Sequence, residues 1–346
     1  MKQPTPVALL VLCSVGLAFL VPPPSVPTPP RGSLSRKFQF TYAVHVPAIK
    51  DPGTRFSLWL PVPQDDPYQE ISDLHIDSPV KFSQGHDLTY GNPYLQFHPT
   101  VTQLNRGFEV AVVFIATRYE HRVDLTSLTA SGAGTPVASD PRLKRDLEPD
   151  RLVPLDGVIA DLAKEQTAGD TTELSKAKSI YDYVVGTMRY DKTGDGWGRG
   201  DAVWASSSKR GNCTDFHSLL IGMMRASGIP ARFEIGFPLP ARTTEGDISG
   251  YHCWAEFYLE GTGWVPVDAS EASRDPERRA YFFGAHDDNR VFFTYGRDIR
   301  LSPEQKGQPL NYFIYPYAEL DGKPLPGIET HFSFKDLEDA EKASRN

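Results

Sequence analysis

An alternation of apolar and polar residues near the N-terminus constrains the fold of this chain more than any other sequence feature. The apolar positions after Arg36 are Phe38, Phe40, Tyr42, Val44 and Val46. Because successive side chains of a strand point to opposite faces, this pattern predicts a half-buried strand. Residues 56–62 and 108–116 repeat it, and turn sequences rich in Pro and Gly separate the segments. We therefore predict an antiparallel β-sandwich over residues 36–127.

The pattern changes to helical spacing in the second half of the chain. Apolar residues recur at intervals of three and four from Leu174 to Met188, after a capping-type sequence at residues 170–173. A second apolar stripe begins at Cys213, and Gly228-Ile229-Pro230 ends that helix. Short strands are predicted at 231–237, 251–259 and 264–267, with further strands closing the same sheet between 281 and 317. The fold class is therefore predicted to be α+β.

The two ends of the chain are predicted to lie outside both folded parts. Residues 1–21 carry an apolar run too short to span a bilayer comfortably, which is typical of a signal peptide, although an uncleaved membrane anchor fits as well. Residues 22–35 form a Pro-rich linker, 128–150 a second linker, and 336–346 a charged tail. We expect an extracytoplasmic protein that is secreted, periplasmic or anchored on the outer face of a membrane.

The charge balance excludes one class of partner. The 346 residues carry a formal net charge of -8, and the sequence pI is about 5.6. No cluster of Lys and Arg offers the basic stripe that neutralises phosphates, so we expect no nucleic acid partner. Three cysteines and nine histidines are also too few for a metal-rich or disulfide-stapled scaffold.

Three short segments supply the residues that a nucleophilic cysteine needs. Cys213 begins a helix, His252 lies on a strand, and Asp268 ends the next strand. A helix N-terminus favours a thiolate, an imidazole can take and return the proton, and a carboxylate can orient the imidazole. We predict Cys213 as nucleophile, with its own backbone N–H as one oxyanion donor.

Spacing alone leaves several alternatives open around this set. A tight loop centred on Gly261-Thr262 would pair Asp268 with Glu256 rather than His252, so Glu256 competes as the orienting carboxylate. His217 lies one helical turn after Cys213 and is a rival base. Two further residues are candidates for the cleft: Trp204, which is a weak oxyanion candidate, and Asp215, which we also expect to cap the helix.

Cys253 raises two further alternatives, a disulfide with Cys213 and a zinc site with Cys213, His217 and His252. Side chains alternate along a strand, so if His252 faces Cys213 then Cys253 should face away. We therefore expect Cys253 to be a small core residue, no disulfide, and no metal or other cofactor. A calcium loop is not expected either, since the acidic pair Asp287-Asp288 stands alone.

Four motifs in order resemble those of the transglutaminase-like superfamily: residues 211–213, 226–232, 252–256 and 263–268. The resemblance covers about residues 150–300 and implies a papain-like core over 151–335, with the cysteine at a helix N-terminus packed on an antiparallel sheet. It also implies Cys213 as nucleophile, His252 as acid and base, and Asp268, rather than Glu256, as the orienting residue. The preceding sandwich is similar to arrangements in secreted bacterial members.

We therefore expect a cysteine acyltransferase, amidase or peptidase that forms a thioester with a carboxamide or peptide carbonyl. The expected partner is a protein or peptide substrate, such as a cell-envelope peptide, and the N-terminus could tether the protein to a membrane. The alternative function is a non-catalytic envelope protein that binds through its sandwich and keeps the core for structural reasons.

Overall fold

The computed structural model describes residues 33–51, 53, 55–126 and 143–337, which form eighteen strands and six α-helices. The strands are β1 (Ser35–Val46), β2 (Phe56–Pro61), β3 (Gln69–Asp77), β4 (Phe82–His86), β5 (Pro93–Phe97), β6 (Phe108–Tyr119), β7 (His121–Arg122), β8 (Arg189–Tyr190), β9 (Arg210–Gly211), β10 (Ala231–Pro238), β11 (Glu245–Asp247), β12 (His252–Leu259), β13 (Gly263–Val267), β14 (Ala285–His286), β15 (Arg290–Tyr295), β16 (Tyr317–Leu320), β17 (Lys323–Pro324) and β18 (Glu329–Asp336). The helices are α1 (Val101–Arg106), α2 (Gly157–Gln166), α3 (Glu173–Thr187), α4 (Ala202–Ser208), α5 (Cys213–Ala226) and α6 (Ala269–Arg274).

Two five-stranded antiparallel sheets form the sandwich. One has the order β11-β18-β1-β6-β3 and the other the order β17-β16-β2-β5-β4. The alternating residues of β1 and β6 face inward, and every second side chain of both strands is buried from Phe38 and Phe108 onward. The sequence analysis assigned β16, β17 and β18 to the later core, but β16 pairs with β2 and β17, and β18 pairs with β1. The C-terminal part of the chain thus returns to complete the sandwich.

The core consists of a four-stranded sheet, β13-β12-β10-β15, with α5 packed against β12 and β10. Helices α2, α3, α4 and α6 surround the other sides of α5. As a result every residue of α5 from Cys213 to Arg225 is buried. A helix that is enclosed on all sides cannot shift without disturbing several layers, so its N-terminus is fixed relative to the sheet.

Aromatic rings join the sandwich to the core sheet. The ring of Phe40 on β1 lies 5.3 Å from Phe237 on β10 and 6.0 Å from Phe293 on β15. Tyr42 contacts the same two rings, and Phe332 on β18 lies 4.3 Å from Phe237. Buried aromatic pairs of this kind stabilise by packing and by edge-to-face geometry. Sandwich and core therefore share one continuous hydrophobic core.

Buried side-chain amides bind the open edge of the core sheet. The edge strand β15 uses its outer backbone groups to bond Gln69, which accepts from Phe292 N at 2.8 Å and donates to Phe292 O at 2.9 Å. Asn92 makes the same pair of bonds with Tyr295, and Gln64 donates to Phe293 O at 2.8 Å. An exposed edge would present unpaired donors and acceptors. Here the sandwich closes the edge with three amides instead of another strand.

The predicted α+β architecture, a β-sandwich followed by a core in which a cysteine-bearing helix packs on an antiparallel sheet, is confirmed. Within the described ranges, none of the helices has the length and apolar character required to cross a membrane. The predicted signal or anchor, most of both linkers and nearly all of the charged tail lie outside the described residues. The predicted capping sequence of α3 is shifted by two residues, because Thr172 rather than Asp170 accepts the bond from the backbone of Ser175.

We predict that Gln69→Leu lowers the free energy of unfolding by about 1–3 kcal/mol, because it leaves buried backbone groups of Phe292 without partners. Gln84→Leu is the matched control, since Gln84 is exposed on β4. Denaturant unfolding of the three proteins measures the difference. Equal stability of the two variants would show that the amide bonds do not hold the edge.

Candidate active site

The N-terminus of α5 positions Cys213 through a reciprocal cap. The Asn212 side chain accepts a hydrogen bond from Thr214 N at 2.9 Å, and the Asp215 carboxylate accepts one from Asn212 N at 2.9 Å. Cys213 is thus the first residue of the helix, where unpaired N–H groups and the helix dipole favour negative charge. Gly211 is required beside it, because its φ is +149° and a Cβ there would lie 2.3 Å from an Asp215 oxygen.

Asp215, a predicted cleft candidate, is buried and fully occupied by backbone donors. Besides Asn212 N, its carboxylate accepts bonds from Gly198 N at 2.6 Å and Gly200 N at 2.9 Å. Burial raises the pKa of Asp215, although these backbone bonds oppose the shift. The carboxylate therefore ties the glycine-rich loop before α4 to the start of α5, in agreement with the expected capping role.

His252 and Asp268 are hydrogen-bonded, with 2.7 Å between His252 Nε2 and Asp268 Oδ2. The register of the β12–β13 hairpin explains their approach. Leu259 pairs with Gly263 across a three-residue loop, so Val267 lies opposite Ala255. The tight-loop register considered from the sequence, with Asp268 opposite Glu256, is wrong by two residues. In the actual register, Asp268 lies beyond the pair of Val267 and Ala255, towards the N-terminal end of β12. His252 is the first residue of that strand.

Glu256, the competing carboxylate, is engaged elsewhere. Arg232 Nε donates to Glu256 Oε2 at 2.8 Å, and His121 Nδ1 lies 3.1 Å from Glu256 Oε1. Burial raises the pKa of Glu256, but Arg232 and His121 outweigh burial and hold it well below its usual range. These contacts turn Glu256 towards the sandwich, away from the thiol.

Hydrogen-bonding interactions with the side chains of Cys253 and His252 and with the Cys253 backbone favour the ionised form of the Cys213 thiol. Burial raises the pKa of this thiol, yet these bonds and the charge of His252 hold it well below its usual value. For His252, burial disfavours the charged ring, but Asp268 and Cys213 raise its pKa to about 10. Opposite shifts of the two partners favour a thiolate–imidazolium pair at neutral pH.

The expectation that Cys253 faces away from Cys213 is wrong. The face of β12 that carries Cys253 packs on α5, and Cys253 Sγ lies 3.7 Å from Thr214 Oγ1 and 3.8 Å from His217 Nδ1. Alternation along the strand holds, but His252 is the first residue of β12 and reaches the thiol from the strand end. Both side chains therefore contact Cys213. The two cysteines are free thiols.

His217, the rival base, has both ring nitrogens occupied. Ala269 N donates to His217 Nε2 at 3.2 Å, so Nε2 carries no proton. The proton then lies on Nδ1, which donates to the Cys213 carbonyl at 2.8 Å. Burial lowers the pKa of His217, which keeps this ring neutral. His217 thus links the Cys213 carbonyl, in the first turn of α5, to the backbone N–H of Ala269, the residue after Asp268.

Asp268 is completely buried and surrounded by donors. Besides His252, it accepts from Ser270 Oγ at 3.0 Å and Glu271 N at 2.9 Å, and Arg290 Nη1 lies 3.5 Å from Oδ2. Burial would raise the pKa of Asp268, but His252 and Arg290 hold it well below its usual range. The carboxylate remains ionised and fixes the orientation of the His252 ring.

Two residues near the site were not identified from the sequence. The Tyr251 hydroxyl contacts Asn212 Nδ2 at 3.1 Å and Thr214 Oγ1 at 2.9 Å, so it ties β12 to the start of α5. Its position directly before His252 in the sequence could have identified Tyr251 as a residue of the site. Arg290 is 22 residues beyond Asp268 on the far edge strand, and nothing in its sequence context distinguishes it.

Trp204 lies on α4 rather than in contact with the thiol. Its indole packs against Gly196, where an added Cβ would lie 2.6 Å from Trp204 Nε1. The Arg210 guanidinium lies 5.5 Å from the centre of the ring. None of the contacts described for Trp204 joins it to Cys213. Among the described residues, the alternative zinc ligands Cys213, His217, His252 and Cys253 do not form a group close enough to share one ion.

A cavity of about 390 Å³ opens beside His252. Charged side chains of both signs line it, including Arg274, Arg278, Glu271 and Asp287. Arg274 pairs with Glu271 at 2.8 Å and Arg278 with Asp287 at 3.2 Å. The cavity is therefore polar, and it leads from the surface to the imidazole.

We predict that alkylation of Cys213 by iodoacetamide is nearly independent of pH from about pH 6 to 8, where an ordinary thiol gains thiolate about tenfold per unit. The His252→Ala variant should react at least about tenfold more slowly at the lower pH, because its thiol regains a proton. Mass spectrometry after trypsin digestion, which cuts at Arg225 and Arg232 between the two cysteines, gives the rate at Cys213 alone. A tenfold rise per pH unit in the parent protein would contradict the ion pair. As pH rises through about 10, His252 loses its proton and the pair is lost.

Comparisons with known proteins agree with this geometry. Residues 160–269 match the model of the Transglutaminase-like superfamily. An uncharacterized protein of Haemophilus influenzae is 28% identical over 325 residues, which cover 84% of this chain and 88% of that protein. The uncharacterized protein YebA of Bacillus subtilis is 24% identical over 132 residues, covering 34% of this chain and 18% of its own length.

A crystal structure of a proposed cysteine protease from Cytophaga hutchinsonii shares the fold. Its TM-score is 0.59 at 16% sequence identity, with 89% of this chain and 92% of that chain covered. The matched segment 160–269 contains Cys213, His252 and Asp268. The resemblance inferred from the four motifs is therefore confirmed: residues 160–269 resemble the core of the Transglutaminase-like superfamily.

Proposed function

We propose that the protein is a thiol-dependent acyl-transfer enzyme that uses Cys213, His252 and Asp268 on a carboxamide or peptide carbonyl. The observation that carries the proposal is the continuous series of contacts from the Cys213 thiol through His252 to the buried carboxylate of Asp268. The opposite pKa shifts of the thiol and the imidazole support a nucleophile that is ionised before substrate binds.

The proposed reaction has two steps. The Cys213 thiolate attacks the carbonyl carbon, and the His252 ring nitrogen not bonded to Asp268 gives its proton to the departing amine or ammonia. An acyl-thioester on Cys213 then remains, and the now neutral His252 takes a proton from the second nucleophile, which releases the acyl group. The Cys213 backbone N–H, in the first turn of α5, is the proposed donor to the tetrahedral oxyanion.

The second nucleophile is proposed to be water. The cavity beside His252 is lined by paired charges, and charged groups in an open cavity remain hydrated. Transfer to an amine would need a surface that excludes water from the thioester. We therefore favour amidase or peptidase activity over crosslinking.

We propose a peptide substrate located outside the cytoplasm. The proposal rests on the N-terminal apolar run and the Pro-rich segment after it, both typical of an exported protein. The negative net charge supports a partner other than nucleic acid. A cell-envelope peptide meets these conditions.

The decisive experiment compares ammonia release, labelled-amine incorporation and peptide-bond cleavage on glutamine-containing peptides and cell-wall peptides. Wild type should hydrolyse its substrate and Cys213→Ala should be inactive. Cys253→Ala should keep measurable activity at a reduced rate, because its thiol stabilises the nucleophile but does not attack the substrate. Amine incorporation in place of hydrolysis would contradict the choice of water. Equal activity of wild type and Cys213→Ala would contradict the thiol mechanism and leave the sandwich-binding function as the better explanation.

We predict that Asp268→Asn lowers kcat by about 10²–10⁴-fold, because an amide can neither stabilise the imidazolium nor hold its tautomer. Asp77→Asn, on an exposed position of β3, is the matched control and should keep full activity. Steady-state kinetics with the substrate identified above checks both. A loss confined to KM would indicate that Asp268 acts on binding instead.

A further inference from the structure

A second group of buried polar side chains lies between the core sheet and the sandwich. Glu234 on β10, Glu256 on β12 and His286 on β14 each offer one ligand atom, and these atoms all lie within 4.8 Å of one another. The three residues are 2%, 4% and 0% exposed. Such residues are rarely buried together without a compensating partner.

His286 is the member that lacks a partner. Both of its ring nitrogens are buried and neither makes a hydrogen bond. A neutral imidazole has one donor and one acceptor, so leaving both unsatisfied in the interior is costly. The backbone holds the ring in place, because β14 pairs with β7 and sets His286 opposite His121. The fold therefore directs an unused nitrogen ligand towards two carboxylates.

One oxygen of each carboxylate accepts a hydrogen bond, and the other lies near a guanidinium or imidazole nitrogen. Trp254 Nε1 donates to Glu234 Oε2 at 2.5 Å, and Arg232 Nε donates to Glu256 Oε2 at 2.8 Å. Glu234 Oε1 lies 3.3 Å from Arg232 Nε, and Glu256 Oε1 lies 3.1 Å from His121 Nδ1, which itself makes no hydrogen bond. The indole and the guanidinium orient the carboxylates as outer-shell partners orient metal ligands.

We propose that Glu234, Glu256 and His286 form a binding site for one divalent first-row transition ion, with zinc as the test case. Nitrogen and oxygen ligands bound at 2.0–2.2 Å to one tetrahedral ion lie roughly 3.4 Å apart, so closing the group requires movements of about 1 Å. The imidazole selects against Ca²⁺ and Mg²⁺, which prefer oxygen ligands.

The site is separate from the thiol, and its two carboxylates line a different cavity from the one beside His252. A cavity of about 320 Å³ is lined by Glu234 and Glu256 together with Asp66, Tyr68 and His121 of the sandwich. Trp254 lies between the two sites, with ring centres 5.9 Å from His252 on one side and 5.9 Å from His286 on the other. A bound ion would join β10 and β12 of the core to β14, which pairs with β7, and would thereby stiffen the joint between core and sandwich.

The test measures zinc bound to the full chain with both site thiols removed, as Cys213→Ala/Cys253→Ala, so that cysteine cannot hold the ion. After incubation with zinc chloride and gel filtration, mass spectrometry should find about one zinc per chain, and zinc should raise Tm by several degrees. His286→Phe, added to this background, should lose both effects. His331→Phe is the matched control, because His331 is an exposed histidine on β18, with 61% of its side chain accessible.

Glu234→Gln is a second variant, with a side chain of almost the same shape as glutamate, and it should also lose zinc. It replaces His286→Phe as the test if circular dichroism spectra show that His286→Phe does not fold. Substoichiometric zinc in the parent protein would overturn the proposal. So would binding that persists in the folded Glu234→Gln variant. Either result is independent of the thiol chemistry, since the nucleophile is absent throughout.

Discussion

The ionised carboxylate of Asp268, buried without any exposed surface, dictates the state of the residues around it. A negative charge in the interior is tolerated only when positive charge and hydrogen-bond donors surround it. Ser270 and the Glu271 backbone supply hydrogen-bond donors. Arg290 supplies one positive charge, and His252 supplies the closest cation. A charged His252 in turn favours a thiolate at Cys213. The ionisation of the Cys213 thiol is thus a consequence of where one aspartate is buried.

The rest of the fold keeps these three groups at fixed distances. Helix α5 is buried on every side, and His217 braces its first turn against the backbone of Ala269. The sandwich contributes indirectly, because Gln64, Gln69 and Asn92 form hydrogen bonds with the outer backbone groups of β15. Arg290 begins that strand and reaches Asp268 from it. The sandwich therefore supports the site through an edge strand of the core sheet.

Local patterns predicted much of this arrangement. The alternation after Arg36 predicted β1, and the apolar stripe and Gly228 predicted α5. Four short motifs predicted the match to the Transglutaminase-like superfamily. These succeeded because strand alternation, helical spacing and capping depend on neighbours in sequence. The partner of each strand does not, and the pairing of β18 with β1 joins residues about 290 apart. The sequence analysis consequently assigned β16, β17 and β18 to the core, whereas these strands belong to the two sheets of the sandwich.

The chemical identity of the site was determined by the sequence: a cysteine at a helix N-terminus, a histidine beginning a strand and an aspartate ending the next one. Tertiary structure decided how they meet. Only the three-residue hairpin loop fixes the register that brings Asp268 to His252, and only the packing of α5 on β12 turns Cys253 towards the thiol. Likewise, no local pattern brings Glu234, Glu256 and His286 together. Such contacts depend on burial and strand register, which are properties of the folded chain as a whole.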